Sequence, residues 1–324
     1  MATGGRPGSS RLGSIVSSGG ISTSKNLQPE GLTLSLGERE DFHHEGILPV
    51  AKSTKIKGYG WRLPGHGDAY ADCGSKRYKG CLNVEAHSQE SLLAYSREGL
   101  LEKMVGHVFV KIYRRSCARA ECPVCYESWA AKEARKIAWR LLAWKNGGRP
   151  IHVIVSVPKR LYNLRFDFVE IKRRAYSVLK KTGFLGGSCI FHPFRMNKKL
   201  NRWYFSPHFH VIGYGWIHGT KENYNRHGWI VKNARVRKTV FGTAMYQLSH
   251  AGIHEGHHTV TWFGRLSYNK LKVFPMPEVE ERCPICKQKL QGLWYFGSED
   301  LPEKEGDYWL PSDNWVYKPR RYCG

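Results

Sequence analysis

Apolar and polar residues change rhythm several times along the chain, and each change marks an element. Ile151 to Val157 is almost continuously apolar, which predicts a central strand buried on both faces. Cys189 to Arg195 and Trp203 to Gly215 are rich in aromatic and branched residues and predict two strands joined by a basic turn, Asn197 to Arg202. Shorter runs at Trp229–Val236 and Thr259–Phe263 predict two more. The rhythm turns helical over Glu127–Lys145. There Ala130, Ala134, Ile137, Ala138, Leu141 and Leu142 fall on one stripe, with Lys132, Arg135, Lys136 and Arg140 on the other faces. That stripe should pack on a sheet or on the neighbouring cysteine region. Phe168–Lys180 predicts a second helix, stopped by Gly183, and Thr239–Gly252 a third, with Gly252 as its C-terminal stop. The expected class is α+β, a mostly antiparallel sheet with helices on one face.

The N-terminal 55 residues break the pattern. Ala2 to Ser24 is rich in Gly, Ser and Thr without an aromatic, so it has little apolar surface to offset the entropy of ordering. A disordered basic segment is expected, with at most a short strand at Leu32–Leu36. No solenoid repeat and no G-x-x-x-x-G-K-[ST] phosphate loop occurs. No apolar run approaches the ~20 residues of a spanning helix, and no signal peptide starts the chain. A soluble, cytoplasmic protein without a membrane partner is expected.

Charge narrows the partner. Lys and Arg number 51 against 27 Asp and Glu, a formal charge of +24. Such an excess favours polyanions and makes binding salt-sensitive. Eleven Trp, 17 Tyr and 13 Phe lie among those cations, and aromatics beside cations grip unstacked single strands, although most of these rings fill cores.

The candidate chemistry begins at Pro207-His208-Phe209-His210. On a strand, His208 and His210 leave one face while Phe209 enters the core, and two imidazoles on one rigid face can hold a divalent metal. An isolated His-x-His is more often structural, so context matters. Downstream, Tyr246 and His250 are one turn apart on the predicted helix. A phenol needs a metal-polarised phosphate to attack at neutral pH.

This ordered set resembles the HUH endonuclease superfamily and, within it, the rolling-circle replication initiators of archaeal plasmids and viruses. The likeness covers roughly the second half of the chain: Ile151–Pro158, Cys189–Arg195 with His192, the His208/His210 pair, and Tyr246-x-x-Ser249-His250-Ala251-Gly252. It implies an HUH-type antiparallel sheet with helices, and a catalytic Tyr246 that attacks a scissile phosphate. The product is a covalent 5′-phosphotyrosine and a free 3′-OH, reversible because the bond energy is conserved. Some initiators carry two tyrosines one turn apart; here His250 holds the second place, which makes this a one-tyrosine enzyme by resemblance. His208 and His210 would hold Mg²⁺ or Mn²⁺ with His250 or its rival His192 as third ligand. Imidazole ligation favours Mn²⁺ and availability favours Mg²⁺. Arg195 or Lys198 is expected to steady the strand. The implied partners are single-stranded DNA at a replication origin, a host helicase to open the duplex and a polymerase to extend the 3′ end. A relaxase or an HUH transposase would use the same residues. A different class, a non-catalytic zinc-knuckle nucleic-acid binder, would make His208 and His210 structural.

Nine cysteines add a second chemistry. In an intracellular protein, clustered cysteines point to metal rather than disulfides. Cys122-Pro123-Val124-Cys125 and Cys283-Pro284-Ile285-Cys286 are C-x2-C knuckles suited to structural Zn²⁺. Cys73, Cys81, Cys122 and Cys125 form the favoured first set, with Cys117 competing and His87 and His107 in reserve. The second knuckle lacks an obvious partner pair; Cys323, His254, His257 and His258 are candidates, while Cys189 reads as a plain buried thiol. The expected organisation is a disordered segment (1–55), a cysteine-rich zinc-binding region with an amphipathic helix (56–146), an HUH catalytic domain (147–275) and a C-terminal zinc-knuckle region (276–324).

Overall fold

The computed structural model describes residues 59–87, 106–144, 148–162, 166–236, 238–277 and 280–318. The N-terminal segment, including Leu32–Leu36, and Cys323 lie outside them. The described chain is α+β, with two five-stranded antiparallel sheets and four α-helices.

The first sheet joins the two ends of the described chain. Strands β1 (Lys76–Cys81) and β2 (His107–Arg114) pair from Lys76↔Arg114 to Cys81↔Phe109. Strands β8 (Gln291–Tyr295), β9 (Gly306–Pro311) and β10 (Trp315–Tyr317) flank them in the order β10-β8-β1-β2-β9. The two cysteine-bearing regions, far apart in sequence, therefore build one sheet around Val108, Val110, Ile112, Leu293 and Trp315.

The second sheet carries the histidines. Its order is β6-β3-β5-β4-β7, with β3 at Ile151–Ser156, β4 at Phe184–Asn197, β5 at Arg202–Gly215, β6 at Ile230–Asn233 and β7 at Val260–Gly264. The apolar β3 is interior, but β5, the strand bearing His208 and His210, holds the centre. The basic turn closes the β4–β5 hairpin, where Asn197 Oδ1 accepts from the N–H groups of Lys199 and Leu200.

Helices cover both faces of this sheet, not one as expected. On one face α2 (Phe168–Lys181) buries Phe168, Ile171, Ala175, Val178 and Leu179 against Val153, Val155, Phe191, Phe209 and Val211. Asp167 caps its N-terminus by accepting from Glu170 N–H, and Gly183 follows its C-terminus at φ +86°. On the other face α1 (Tyr126–Leu142) and α4 (Val240–Leu248) pack over Ile190, Ile212 and Tyr214 through Ala130, Ala134, Ile137, Leu141, Ala244 and Leu248. Helix α3 (Thr220–His227) precedes β6.

Three local expectations change. Leu142, assigned to the apolar stripe of α1, is exposed, whereas Arg140, assigned to a polar face, is buried and donates to the carbonyls of Leu266 and Leu271. A guanidinium has five donors to satisfy, and two chain carbonyls meet that need inside the fold. Gly252 lies beyond α4, which ends at Leu248 with Ser249 as its cap. Its requirement is close approach: its N–H donates to Phe191 O, and a Cβ there would press on Pro193 and Trp61 at 2.7 and 2.8 Å.

Candidate active site

The β4–β5 register sets His192 directly opposite His208, and β3–β5 pairing sets Ile154 opposite His210. Paired residues share a face, so His192, His208 and His210 rise together on the side covered by α1 and α4. Their ligating nitrogens all lie within 4.8 Å of one another, and all three rings are buried. Of the two candidates for third ligand, the structure brings His192 into this set. His250, beyond the end of α4, stands edge-on to His192 with ring centroids 4.5 Å apart and is outside it.

Hydrogen bonds set the tautomers. His208 Nδ1 is 2.8 Å from Ser206 O, and a carbonyl only accepts, so Nδ1 carries the proton and Nε2 keeps its lone pair. His152 Nδ1 faces Arg235 O at 3.3 Å, so His152 donates there and its Nε2 accepts. The partner of that Nε2 is His210 Nδ1 at 2.8 Å, which must then donate, leaving His210 Nε2 bare. Both nitrogens of His192 are buried without a hydrogen-bond partner. A buried polar group without a partner is costly. Three convergent imidazoles with free lone pairs fit a divalent metal, which would satisfy them at once.

Electrostatics keep these rings neutral. Burial holds His192 and His210 well below the usual histidine range, and neighbouring imidazoles add to the effect. His208 is pushed down to about 3, by burial first and then by the Arg195 guanidinium. Neutral imidazole is the metal-binding form.

Helix α4 brings the tyrosine to the same face. Thr239 caps its start by accepting from Gly242 N–H at 2.9 Å. Tyr246, half-buried, lies against His250 with centroids 4.8 Å apart, so an unbroken run of rings leads from Tyr246 through His250 to His192. Arg195 is at the site and donates to Ser156 Oγ at 2.8 Å, whereas Lys198 is exposed in the hairpin turn. Two residues escaped the sequence reading. His152 sits in an apolar run, and its signal is parity: it alternates with Val153 and so shares a face with Ile154 and, across the pair, with Ile212. Gln247, next to Tyr246, is fully buried with its amide oxygen and nitrogen unpartnered, and its signal is a polar residue on the helix stripe of Val240, Ala244 and Leu248.

The cysteines regroup. Cys73, Cys117, Cys122 and Cys125 bring their sulfurs within 4.8 Å of one another, a four-thiol set that can hold zinc. Cys117, the expected competitor, takes the place given to Cys81. Cys81 ends β1 and stands beside Cys286, 3.4 Å away, with Cys283 in the same cluster. Cys189 is a buried strand thiol, as expected. His257 stacks on Trp61 and His254 packs against it at a tilt, instead of joining Cys283 and Cys286. Between the first knuckle, α1 and the segment after α4 lies a cavity of about 500 Å³, lined by Arg119, Lys136, Trp129, Trp262, Tyr268 and His257 among others. No helix of the described residues is long and apolar enough to cross a membrane.

Comparison of the chain with protein-family models, with curated proteins and with solved structures gives no match, so the functional reading rests on these residues and their geometry.

Proposed function

We propose that this protein is a metal-dependent, single-tyrosine nickase and strand transferase acting on single-stranded DNA, used to initiate rolling-circle replication. The observation that carries the reading is the convergence of His192, His208 and His210 on the sheet face that the Tyr246 helix covers. Bound there, Mg²⁺ or Mn²⁺ would polarise the scissile phosphate and offset charge on its oxygens. The chain's own residues do the rest. Tyr246 Oη forms a bond to phosphorus, the bond to the 3′ oxygen breaks, and that oxygen takes a proton from water as it leaves. His250, packed against the Tyr246 ring, accepts the phenolic proton. His152 and Ser206 fix the tautomers of His210 and His208. Arg195, beside His208 on the sheet, is a cation for the backbone, and the cavity lined by Trp129, Trp262, Tyr268, Arg119 and Lys136 suits unstacked bases. A charge of +24 gives the long-range attraction. An origin, a helicase that opens it and a polymerase that extends the 3′ end complete the scheme; a relaxase or transposase would differ in DNA, not in these residues.

The test is direct. Full-length protein incubated with Mn²⁺ and a labelled single-stranded DNA pool should yield an adduct that survives detergent and maps by mass spectrometry to Tyr246. Tyr246→Phe removes only the hydroxyl, so it should keep the fold and DNA binding and lose the adduct completely. An adduct persisting in that variant, or none forming with any single strand, would overturn the proposal.

A further inference from the structure

A third candidate metal site, beside the histidine set and the four-thiol set, is built from parts that lie about 200 residues apart in the chain. Cys81 Sγ and Cys286 Sγ are separated by 3.4 Å, and His87 Nε2 and Cys283 Sγ by 3.2 Å. All four ligating atoms lie within 4.8 Å of one another. The sulfur pair is too far apart for a disulfide, whose bond is about 2.05 Å. The distances instead approach the edges of a tetrahedron around zinc, roughly 3.8 Å between sulfurs and roughly 3.6 Å from sulfur to nitrogen for ordinary zinc bond lengths.

The surroundings are prepared for an ion. His87 is fully buried, and its Nδ1 faces His107 O at 3.2 Å. The carbonyl accepts, so the proton sits on Nδ1 and the Nε2 lone pair points at Cys283 Sγ. Cys81 and Cys283 are buried as well, and Trp309 stands edge-on over the His87 ring. The Cys283–Cys286 turn is already knuckle-shaped: Cys283 N–H donates to Gln288 O, and Lys287 N–H donates back to Cys283 O. Just before it, Glu281 pairs with Lys79 of β1 and Lys111 of β2 at 2.7 and 2.9 Å, so the knuckle is docked on the strands that supply its partners.

We infer that Cys81, His87, Cys283 and Cys286 form a closed Cys₃His zinc site, a clasp that fastens the C-terminal strands β8 to β10 onto β1 and β2. Three soft thiolates and one imidazole select zinc over hard cations, and a closed set leaves no position for substrate. The whole histidine sheet lies in the chain between β2 and β8, so the clasp closes a loop around it and fixes both of its ends. Closing a loop that long removes much freedom from the unfolded chain. His87 is thereby a metal ligand that no cysteine spacing announces.

The test uses the full chain. Zinc is measured by elemental analysis, and cobalt-exchanged protein is examined by visible absorption, whose ligand-field bands separate Cys₃His from Cys₄ sites. Cys283→Ser should lower zinc by about one ion per chain and expose residues 287–318 to protease, while Cys122→Ser should leave the Cys₃His bands in place. His87→Cys should keep the zinc content and convert those bands to the all-sulfur type. If Cys283→Ser is insoluble, His87→Cys carries the test alone. Unchanged bands in His87→Cys, or unchanged zinc in soluble Cys283→Ser, would overturn the clasp.

Discussion

On the first sheet and its knuckles, ligating atoms gather in sets of four at strand ends and tight turns. On the second sheet, three imidazoles rise from the middle of a paired hairpin. The numbers matter chemically. Four ligands saturate a tetrahedral ion and leave it a structural part, whereas three leave a coordination position that a substrate oxygen or water can fill. The surroundings agree with the count. The cysteine sets are flanked by knuckle turns and small cores, while the histidine set is joined by edge-on ring contacts to a tyrosine. One protein thus contains closed sets suited to holding the chain and an incomplete set suited to chemistry.

The largest effect should come from emptying the incomplete set. Replacing His208 and His210 together with Ala should abolish Mn²⁺-dependent nicking and Mn²⁺-dependent stabilisation alike. Undiminished nicking would remove the histidine sheet from the catalytic side of the comparison. The third position is sharpened by measuring metal binding and activity separately. His192→Gln should lose calorimetric Mn²⁺ binding, because His192 belongs to the ligand set. His250→Gln should retain binding and slow cleavage, as expected of a group that acts on Tyr246. The reverse pattern would make His250 the ligand.

The closed set should respond in the opposite sense. Cys122→Ser removes one of four sulfurs from the Cys73, Cys117, Cys122 and Cys125 site, at a position with no solvent exposure. Loss of a structural metal belongs among the severe destabilisations, of order 4 kcal/mol or more. A lowered melting temperature with intact Tyr246 chemistry in the folded fraction is expected. Folded, zinc-free and fully active protein would reduce these cysteines to ordinary thiols.

How legible each half was in the sequence follows from how local its information is. His208 and His210 are two residues apart on one strand, and alternation alone puts them on one face. The strands around them were legible as apolar runs, but their order was not, since the central place belongs to β5 and not to the more apolar β3. The hairpin already allowed His192 to approach. The cysteine pairing needed tertiary knowledge. Proximity in sequence assigns Cys81 to the first knuckle, and only the antiparallel meeting of β1 with β8 carries it to the second. That strand pairing has no local signature, because β8 to β10 are short and mixed in polarity. The position of α1 was hidden for a related reason: its stripe fits any apolar surface, and Arg140 is buried only because two distant carbonyls await it.

A smaller effect concerns His152, which is hydrogen-bonded to the ligand set through His210. Its Nε2 accepts from His210 Nδ1 and so holds the tautomer with Nε2 bare. Losing such an outer partner typically costs ~10–100-fold in metal affinity. His152→Phe should weaken Mn²⁺ binding by that order, while the strand and its apolar neighbours tolerate the ring. An unchanged affinity would mean that His210 is oriented by packing alone.

The smallest effect is the dependence of stability on pH in metal-free protein. His208 falls from an ordinary 6.5 to about 3 in the folded state, and His192 and His210 are also held low, by burial first. For a base lowered in this way, the unfolded chain binds more protons than the folded one between the two values. Stability contributed by these rings is therefore fully present above about 6.5 and is lost as pH falls through the window toward the folded values. Each such histidine can add a slope of up to ~1.4 kcal/mol per pH unit. Carboxylates are still largely ionised between pH 7 and 5, so that interval isolates the histidines. Other rings, His66 and His87 among them, are lowered too by desolvation, so the comparison is between wild type and His208→Gln. Thermal melts from pH 7 to 5 should fall more steeply for wild type than for the variant, and saturating Mn²⁺ should flatten the wild-type curve by binding the neutral imidazoles. The four-thiol set contains no imidazole, so Cys122→Ser should leave the slope where it is. Parallel wild-type and His208→Gln profiles would mean that the three rings are not held neutral by burial, and the contrast between an open histidine set and closed cysteine sets would lose its electrostatic basis.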